Sequence, residues 1–425
     1  MQLGKKKLGK KKFGKKKIAG LLSAATCSLL ANPVQAEEHD WDIDSAVLYY
    51  SEDDDRVDAF EPVISGKKDL GDEEILSFKL VLDSLTGASA TGAVPSTQVQ
   101  TFTRPSGNGT YTVDPNDTPL DDTFKDTRVA FGMNWEKPID RNNRRTLGFN
   151  VSGEYDFTSA AVNALWAHDT NQKNTTYTAG INLEYDYIDP VGGAPEGLTS
   201  MDAQDKNDTD DRIIVDLLFG VTQVIDKTSL FQVNLSLSEA DGYLTDPYKL
   251  VSVVDNITGE PVDQLFENRP DSRSRQSLFG KYKKMFANKD IFTASYRYMT
   301  DDWGVDSSTF DFTYRFKFNK GYFIQPHLRW YTQTEADFYN YFLREGERVP
   351  SEASADYRLG EMDATTYGFK FGREFDERHI WSVRLERYEQ TGESSPSEAF
   401  GQLDQQDLYP DVTATIVQFN YSFQW

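Results

Sequence analysis

Thiol chemistry is almost absent from this chain. Its one cysteine, Cys27, sits in an apolar run near the start. The remainder therefore has no disulfide and no thiolate metal site. Histidine is scarce too, limited to His39, His168, His327 and His379. No His-x-x-x-His pair, Gly-x-Ser-x-Gly turn or glycine-rich phosphate loop occurs, and no Ser-His pairing suggests a triad. These gaps leave no catalytic constellation to argue from. Positive charge is also short, with 45 Lys and Arg against 68 Asp and Glu. Nine of those 45 fall in residues 1–36, which hold no acid, leaving 36 against 68, or −32, for the rest. Such a chain does not attract nucleic acid or anionic headgroups by charge. Beyond Ala31 no apolar run reaches the ~20 residues of a membrane helix.

The first 36 residues read as a signal peptide. Gly-Lys-Lys-Lys-apolar repeats three times, at Gly4–Leu8, Gly9–Phe13 and Gly14–Ile18. An apolar run from Ile18 to Ala31 follows, then Pro33-Val34-Gln35-Ala36 with small residues at −3 and −1 of a cut before Glu37. Basic start, short apolar middle and small-residue end are the three parts of an export signal. The expected organisation is a signal peptide over 1–36 and one unit over 37–425.

Hydrophobic residues make up only 38% of the chain, yet aromatics reach 13%. Period-two alternation accounts for that combination. At the C-terminus Thr415, Val417, Phe419, Tyr421, Phe423 and Trp425 share one face, and Gln418, Asn420, Ser422 and Gln424 share the other. The same pattern recurs in Val129–Trp135, Leu147–Phe157, Tyr177–Tyr187, Phe310–Phe318 and Tyr367–Phe375, where the second face is polar and often glycine. Strands of this length, greasy on one face and wet on the other, suit a sheet that crosses a bilayer at a tilt.

The connections alternate between short (Asp169–Asn174, Ile225–Lys227, Asn319–Gly321) and long (Asp189–Asp210, Asp241–Ser272, Asp337–Asp363, Gly392–Asp411). Two long-side connections, near Thr158 and at Trp303–Val305, are tight. The expected fold is all-β: a transmembrane antiparallel up-and-down β-barrel with short periplasmic turns and long extracellular loops. About sixteen strands are expected, with fourteen as the alternative count. Pro62 weakens the second strand, and Pro326 in the thirteenth calls for a bulge. Residues 85–125, rich in Gly, Ser, Thr and Pro, read as an extracellular loop or a lumen plug.

Several short runs resemble a bacterial outer-membrane family known as Domain of Unknown Function 3570. They are Asp83–Ser89, Asp126-Thr127-Arg128, Ser152–Asp156, Asn174-Thr175-Thr176, Glu267–Asp271, Arg329-Trp330-Tyr331, Ala336–Tyr339 and Ala355–Leu359. The resemblance covers nearly the whole chain after the signal. It implies an exported barrel with no established activity, and it supplies no catalytic residues.

In a barrel, order along the chain is order around the wall. Lumen-facing Glu154, Glu184 and Asp216 form an expected acidic wall, opposite a basic wall of Arg297, Arg315, Lys317, Arg329 and Lys370. The pair either filters polar or charged solutes through a wet pore or closes the lumen by pairing. Arg269, Asp271, Arg273, Arg275, Asp301, Asp302, Asp337, Asp356 and Arg358 gather at the extracellular end, as a ligand vestibule or as loop-packing ion pairs. Asp205, Asn207, Asp208 and Asp210 resemble the start of a calcium loop, but Asp210 stands where that loop needs glycine. No cofactor is expected beyond Ca2+ or another divalent cation at the outer loops. The expected partners are outer-membrane lipid and lipopolysaccharide, the barrel-assembly machinery through the C-terminal strand, and a small solute; nucleic acid is not among them. The functional expectation is a porin-like channel or importer, with a non-conducting barrel that binds through its loops as the alternative.

Overall fold

Period-two alternation has one structural solution that buries every backbone amide, a sheet closed on itself. That is what forms. The computed structural model describes residues 41–54, 56–103, 109–202, 206–376 and 379–425, with backbone only at 122–124. The segment 1–36, expected as a signal peptide, lies outside the described residues.

Sixteen antiparallel strands make the barrel. They are β1 Trp41–Glu52, β2 Val57–Gly71, β3 Glu74–Ala90, β4 Leu120–Pro138, β5 Asn143–Gly153, β6 Phe157–Thr170, β7 Thr175–Ile188 and β8 Asp210–Asp226. The other half is β9 Ser229–Gly242, β10 Ser272–Met285, β11 Ile291–Asp301, β12 Asp306–Lys317, β13 Tyr322–Gln333, β14 Met362–Glu374, β15 Ile380–Gly392 and β16 Val412–Gln424. Each strand pairs with its chain neighbour, and β1 pairs with β16 from Asp42↔Gln424 to Glu52↔Ala414. Reciprocal bonds between Trp41 and Trp425 (2.6 and 2.8 Å) finish the seam.

The greasy face points outward. Phe419, Leu235 and Phe369 are 48%, 41% and 43% exposed, and such exposure of large apolar side chains fits lipid rather than water. Tyrosines ring the loop end of this band. Their hydroxyls donate to strand-top carboxylates: Tyr49 to Asp58 (3.0 Å), Tyr185 to Asp211 (2.9 Å), Tyr298 to Asp306 (3.1 Å) and Tyr367 to Glu389 (2.8 Å). Trp135, Trp166 and Trp425 mark the turn end. A ring set in hydrocarbon with its polar tip at the headgroups is the interfacial use of such residues. On β7, Tyr177 and Tyr185 are separated by about 27 Å along the strand at ~3.4 Å per residue. After a tilt of ~40° this is close to the band such barrels present.

The structure differs from the sequence expectation in three places. Neither proline bulges its strand. Opposite Pro326 the β12–β13 ladder runs from Thr313↔His327 to Phe316↔Ile324 with two rungs missing and register unchanged. The β2–β3 ladder at Pro62 does the same between Phe60↔Ser84 and Val63↔Val81. Proline removes one N–H toward one neighbour, and the pairing on the other side (Val47↔Pro62, Pro326↔Phe369) holds the strand straight. Thirdly, β3 continues to Ala90 and β4 starts at Leu120, so both strands reach into the 85–125 segment. A register shift between Gly87 and Ser89 lets them do so, with Gly87 at φ 134, where a side chain is disfavoured.

Sidedness is testable at one pair of neighbours. Leu235→Arg, on the lipid face of β9, is expected to cost about 2–4 kcal/mol, whereas Ser236→Arg, on the lumen face, should cost under about 1 kcal/mol. Urea midpoints of the barrel in lipid vesicles, read by tryptophan fluorescence, check this; equal losses would contradict the assigned faces.

Candidate functional site

Strands carry the wall, and the loops carry a second structure across it. Residues 243–271 rise between β9 and β10, yet they touch loops that start six strands away in either direction. Leu250 donates to Thr91 O (2.8 Å) and Ser96 to Glu260 (2.7 Å), both in the β3–β4 loop. Gln402, from the β15–β16 loop, donates to Thr258 O (2.8 Å). In a closed ring of sixteen strands such contacts require the segment to cross the mouth. It crosses as a hairpin, Leu250–Val254 against Pro261–Phe266, with Leu343–Arg344 added in parallel. Val254, Trp303, Phe338, Tyr339, Phe342 and Leu403 bury an apolar core within this cap.

Charges bind the cap together. Arg269 donates to Glu267 (2.6 Å) and Asp356 (2.8 Å). Arg358 donates to Asp356 (2.9 Å) and Asp246 (2.7 Å). Ser354 bonds Glu267, and Lys249 bonds Ala90 O. Glu267 and Asp356 are 0% and 1% exposed. Burial alone pushes Asp246 up, but Arg358, Lys249 and Arg269 overcome it and hold the carboxyl at about 2. The same cations hold Asp356 far below the usual carboxylate range against the same burial. Burial prevails at Glu267, which is raised.

Of the expected vestibule residues, Arg269, Asp356 and Arg358 are the centre of this network. Arg273 pairs with Asp301 (2.8 Å) and lies 4.2 Å from the Trp303 ring. Asp301 also accepts from the N–H groups of Trp303 (3.0 Å) and Val305 (2.9 Å), fixing the tight β11–β12 turn. Asp302 accepts from Ser274 N (2.9 Å). Asp337 abuts Gly304 so closely that a Cβ there would meet its Oδ1 at 2.4 Å. Arg275 reaches Ser238 (3.3 Å), and Asp271 is exposed. Eight of these nine residues thus join loops or fix strand tops.

The expected acidic wall holds two of its three members. Glu184 accepts from Ser159 (3.1 Å), and Asp216 from Asn182 (3.1 Å). The third, Glu154, lies one residue past β5, which ends at Gly153, where the turn into β6 begins beside Asp126 of β4. There Asp126, Glu154 and Asp156 bring carboxylate oxygens within 4.8 Å of one another. Burial and then Asp126 raise Glu154 to about 8, and three carboxyls share one corner. Tyr248 of the cap bonds Asp156. The calcium candidates lie elsewhere: Asp205 is outside the described residues, Asn207 and Asp208 are exposed, and Asp210 opens β8.

Strand parity places all five expected basic-wall residues on the lumen face. Arg315 and Lys317 pair with Glu374 (2.9 and 3.1 Å). His327 bridges Glu386 (2.7 Å) and Asp311 (3.0 Å). Lys281 and Lys283 on β10 belong to the same wall and were not among the expected residues, although strand parity places them there. Asp246, Lys249 and Glu267 of the cap were missed because loops carry no period. The one available signal was that two motif runs, 267–271 and 355–359, each carry an acid and an arginine.

A family profile described as Protein of unknown function (DUF3570) matches residues 19–423. No curated protein matches the chain significantly. Among solved structures it is similar to the CymD monoaromatic hydrocarbon channel (8% identity, 92% of this chain and 90% of that one, TM-score 0.40). It is also similar to OccAB4 of Acinetobacter baumannii (9%, 93% and 100%, TM-score 0.40) and to the P. putida toluene transporter TodX (8%, 91% and 89%, TM-score 0.36). These are likenesses of barrel architecture alone.

Asp356→Asn strips Arg269 and Arg358 of their shared carboxylate, and loss of one member of a buried ionic set costs about 3–5 kcal/mol. Faster amide exchange in 243–271 and 334–361, with heat-resistant migration of the barrel retained, is the expected result; unchanged protection would remove the network from its assigned role. The pH sign follows from Asp246. Its folded value lies below the unfolded ~3.9, so its contribution is complete above about pH 4 and fades as pH falls toward 2. Loop protection should therefore stay level from pH 7 to about 4.5 and drop only below it, as followed by protease cleavage across that range.

Proposed function

The chain belongs to the family described as protein of unknown function (DUF3570), and from that premise we propose an outer-membrane channel for small polar or charged solutes whose mouth is closed by a loop cap. The observation that carries this reading is the lumen face. On β3 to β8, Asp83, Asp169 and Asp186 pair with Arg128, Arg144 and Arg212 of the neighbouring strands and Asp216 accepts from Asn182, whereas Lys281, Arg297, Arg329 and Lys370 lie on β10 to β14. A dry plug needs neither charge nor hydroxyls, whereas sixteen-stranded barrels with polar interiors enclose water. A wall of ion pairs facing a wall with unpaired cations orients and selects what passes. The cap explains control: a segment bridging the mouth has to yield, at least in part, for a solute to enter.

Export through the signal peptide of residues 1–36, and recognition of the last strand by the assembly machinery, complete the proposal. With an even strand number both termini fall on the periplasmic side, and the cap faces outward toward lipopolysaccharide. A second reading, a non-conducting barrel that presents its cap to a ligand or partner, is favoured by the packed core of the loops.

Planar-bilayer recording separates the two. Purified mature protein is expected to give brief, infrequent steps in KCl, and Asp356→Asn should raise the open fraction severalfold by loosening the cap. Electrical silence from both, with heat-modifiable migration showing a folded barrel, would sink the channel and leave the second reading.

A further inference from the structure

The lumen wall formed by β10 to β14 carries two kinds of cation. Arg315 and Lys317 share Glu374. Arg384 stands 3.5 Å from Glu386, and His327 occupies Glu386 and Asp311. The acids of this part of the wall are therefore already engaged. Among the described residues, Lys281, Lys283, Arg297 and Arg329 have no ion-pair partner and donate no hydrogen bond; Arg297 lies over the Phe279 ring at 5.4 Å.

These four are neighbours. Lys281 faces Ser295, and Lys283 faces Thr293, across the β10–β11 ladder. Arg297 sits one same-face step beyond Ser295, so its Cα is roughly 8 Å from that of Lys281 by strand geometry. Arg329 lies two strands further, across from Asp311, which itself faces Ser295. Lys281, Lys283 and Arg297 share one patch with the hydroxyls of Thr293 and Ser295, and Arg329 reaches toward it from beyond Asp311. Like charges grouped without partners are unfavourable unless water or a counter-anion fills the space between them. A guanidinium flanked by ammonium groups and hydroxyls matches the several acceptor oxygens of one carboxylate or phosphate group.

We infer that Lys281, Lys283, Arg297 and Arg329, with the hydroxyls of Thr293 and Ser295, form a lumen subsite for an oxyanion-bearing solute. The inference rests on the lumen reading above and names the solute class, but it does not require the barrel to conduct.

Isothermal titration of the full-length mature barrel in detergent tests the subsite without reference to conductance. Tripolyphosphate and citrate serve as the phosphate and carboxylate probes. Saturable binding of at least one is expected, weakening as salt rises. Lys281→Gln combined with Arg297→Gln should weaken it by at least about tenfold, while Lys227→Gln, in a turn at the far end of β8, should leave it within about twofold. Which probe binds tells the source of the oxyanion. No saturable heat with either, or binding undiminished in the double variant that still migrates as a folded barrel, would overturn the subsite. A barrel that conducts yet binds neither probe keeps the channel and loses the subsite; one that binds but is electrically silent does the reverse.

Discussion

Every feature of this molecule depends on one constraint, that no backbone amide within the membrane can go without a partner. Unpaired N–H and C=O groups cost several kcal/mol each in hydrocarbon. The ladder therefore has to close, and it does, through β1 against β16 and the paired ends at Trp41 and Trp425. Closure then sorts side chains by parity. Once Phe419 faces lipid, Gln418 and Asn420 face the lumen, and the register carries that choice from strand to strand around the ring. The polar interior is a consequence of closing a sheet whose other face is greasy.

The same constraint explains what could be read in the amino acids. Parity is local: Val417-Gln418-Phe419-Asn420 announces its two faces without reference to anything distant. The sixteen strands, the tight turn at 302–305 and the faces of the strand residues follow from it, while the turn expected near Thr158 falls at 154–156. Prolines mislead because a missing N–H suggests a distorted strand, whereas a long ladder omits a rung and keeps its register. Strand ends mislead too. Thr86-Gly87-Ala88-Ser89-Ala90 has loop composition, and it becomes strand because β4 offers a partner and Gly87 absorbs the shift. Glu154 continues the alternation of β5 yet falls in the turn, since β5 ends at Gly153 although the pattern runs on to Phe157.

The cap was out of reach for a different reason. Its contacts join residues far apart in sequence, as in Lys249 with Ala90, Arg269 with Asp356 and Gln402 with Thr258. No periodicity in any single loop encodes them. The segment 243–271 is central because it alternates anchoring groups: Leu250 and Phe266 for apolar packing, and Asp246, Lys249, Glu267 and Arg269 for the ionic set. Buried ion pairs are poor sources of stability compared with apolar packing. Their geometry is directional, however, and a segment crossing a wide mouth needs its landing point defined more than it needs additional burial.

Pairing, rather than residue type, distinguishes the two charged regions. In the cap, Lys249, Arg269 and Arg358 stand against Asp246, Glu267 and Asp356, so the set is internally neutral and tolerates a dry interior. On the wall, Lys281, Lys283, Arg297 and Arg329 outnumber the nearby acids, and those acids are held by other groups. A neutral network stays where water is excluded; an uncompensated one requires water or a counter-ion. Composition treats arginine at 269 and arginine at 297 alike. The structure makes the first a fastener between loops and the second a free donor facing the lumen. The two arginines differ because a carboxylate waits within 3 Å of one and a hydroxyl-lined, water-accessible wall surrounds the other.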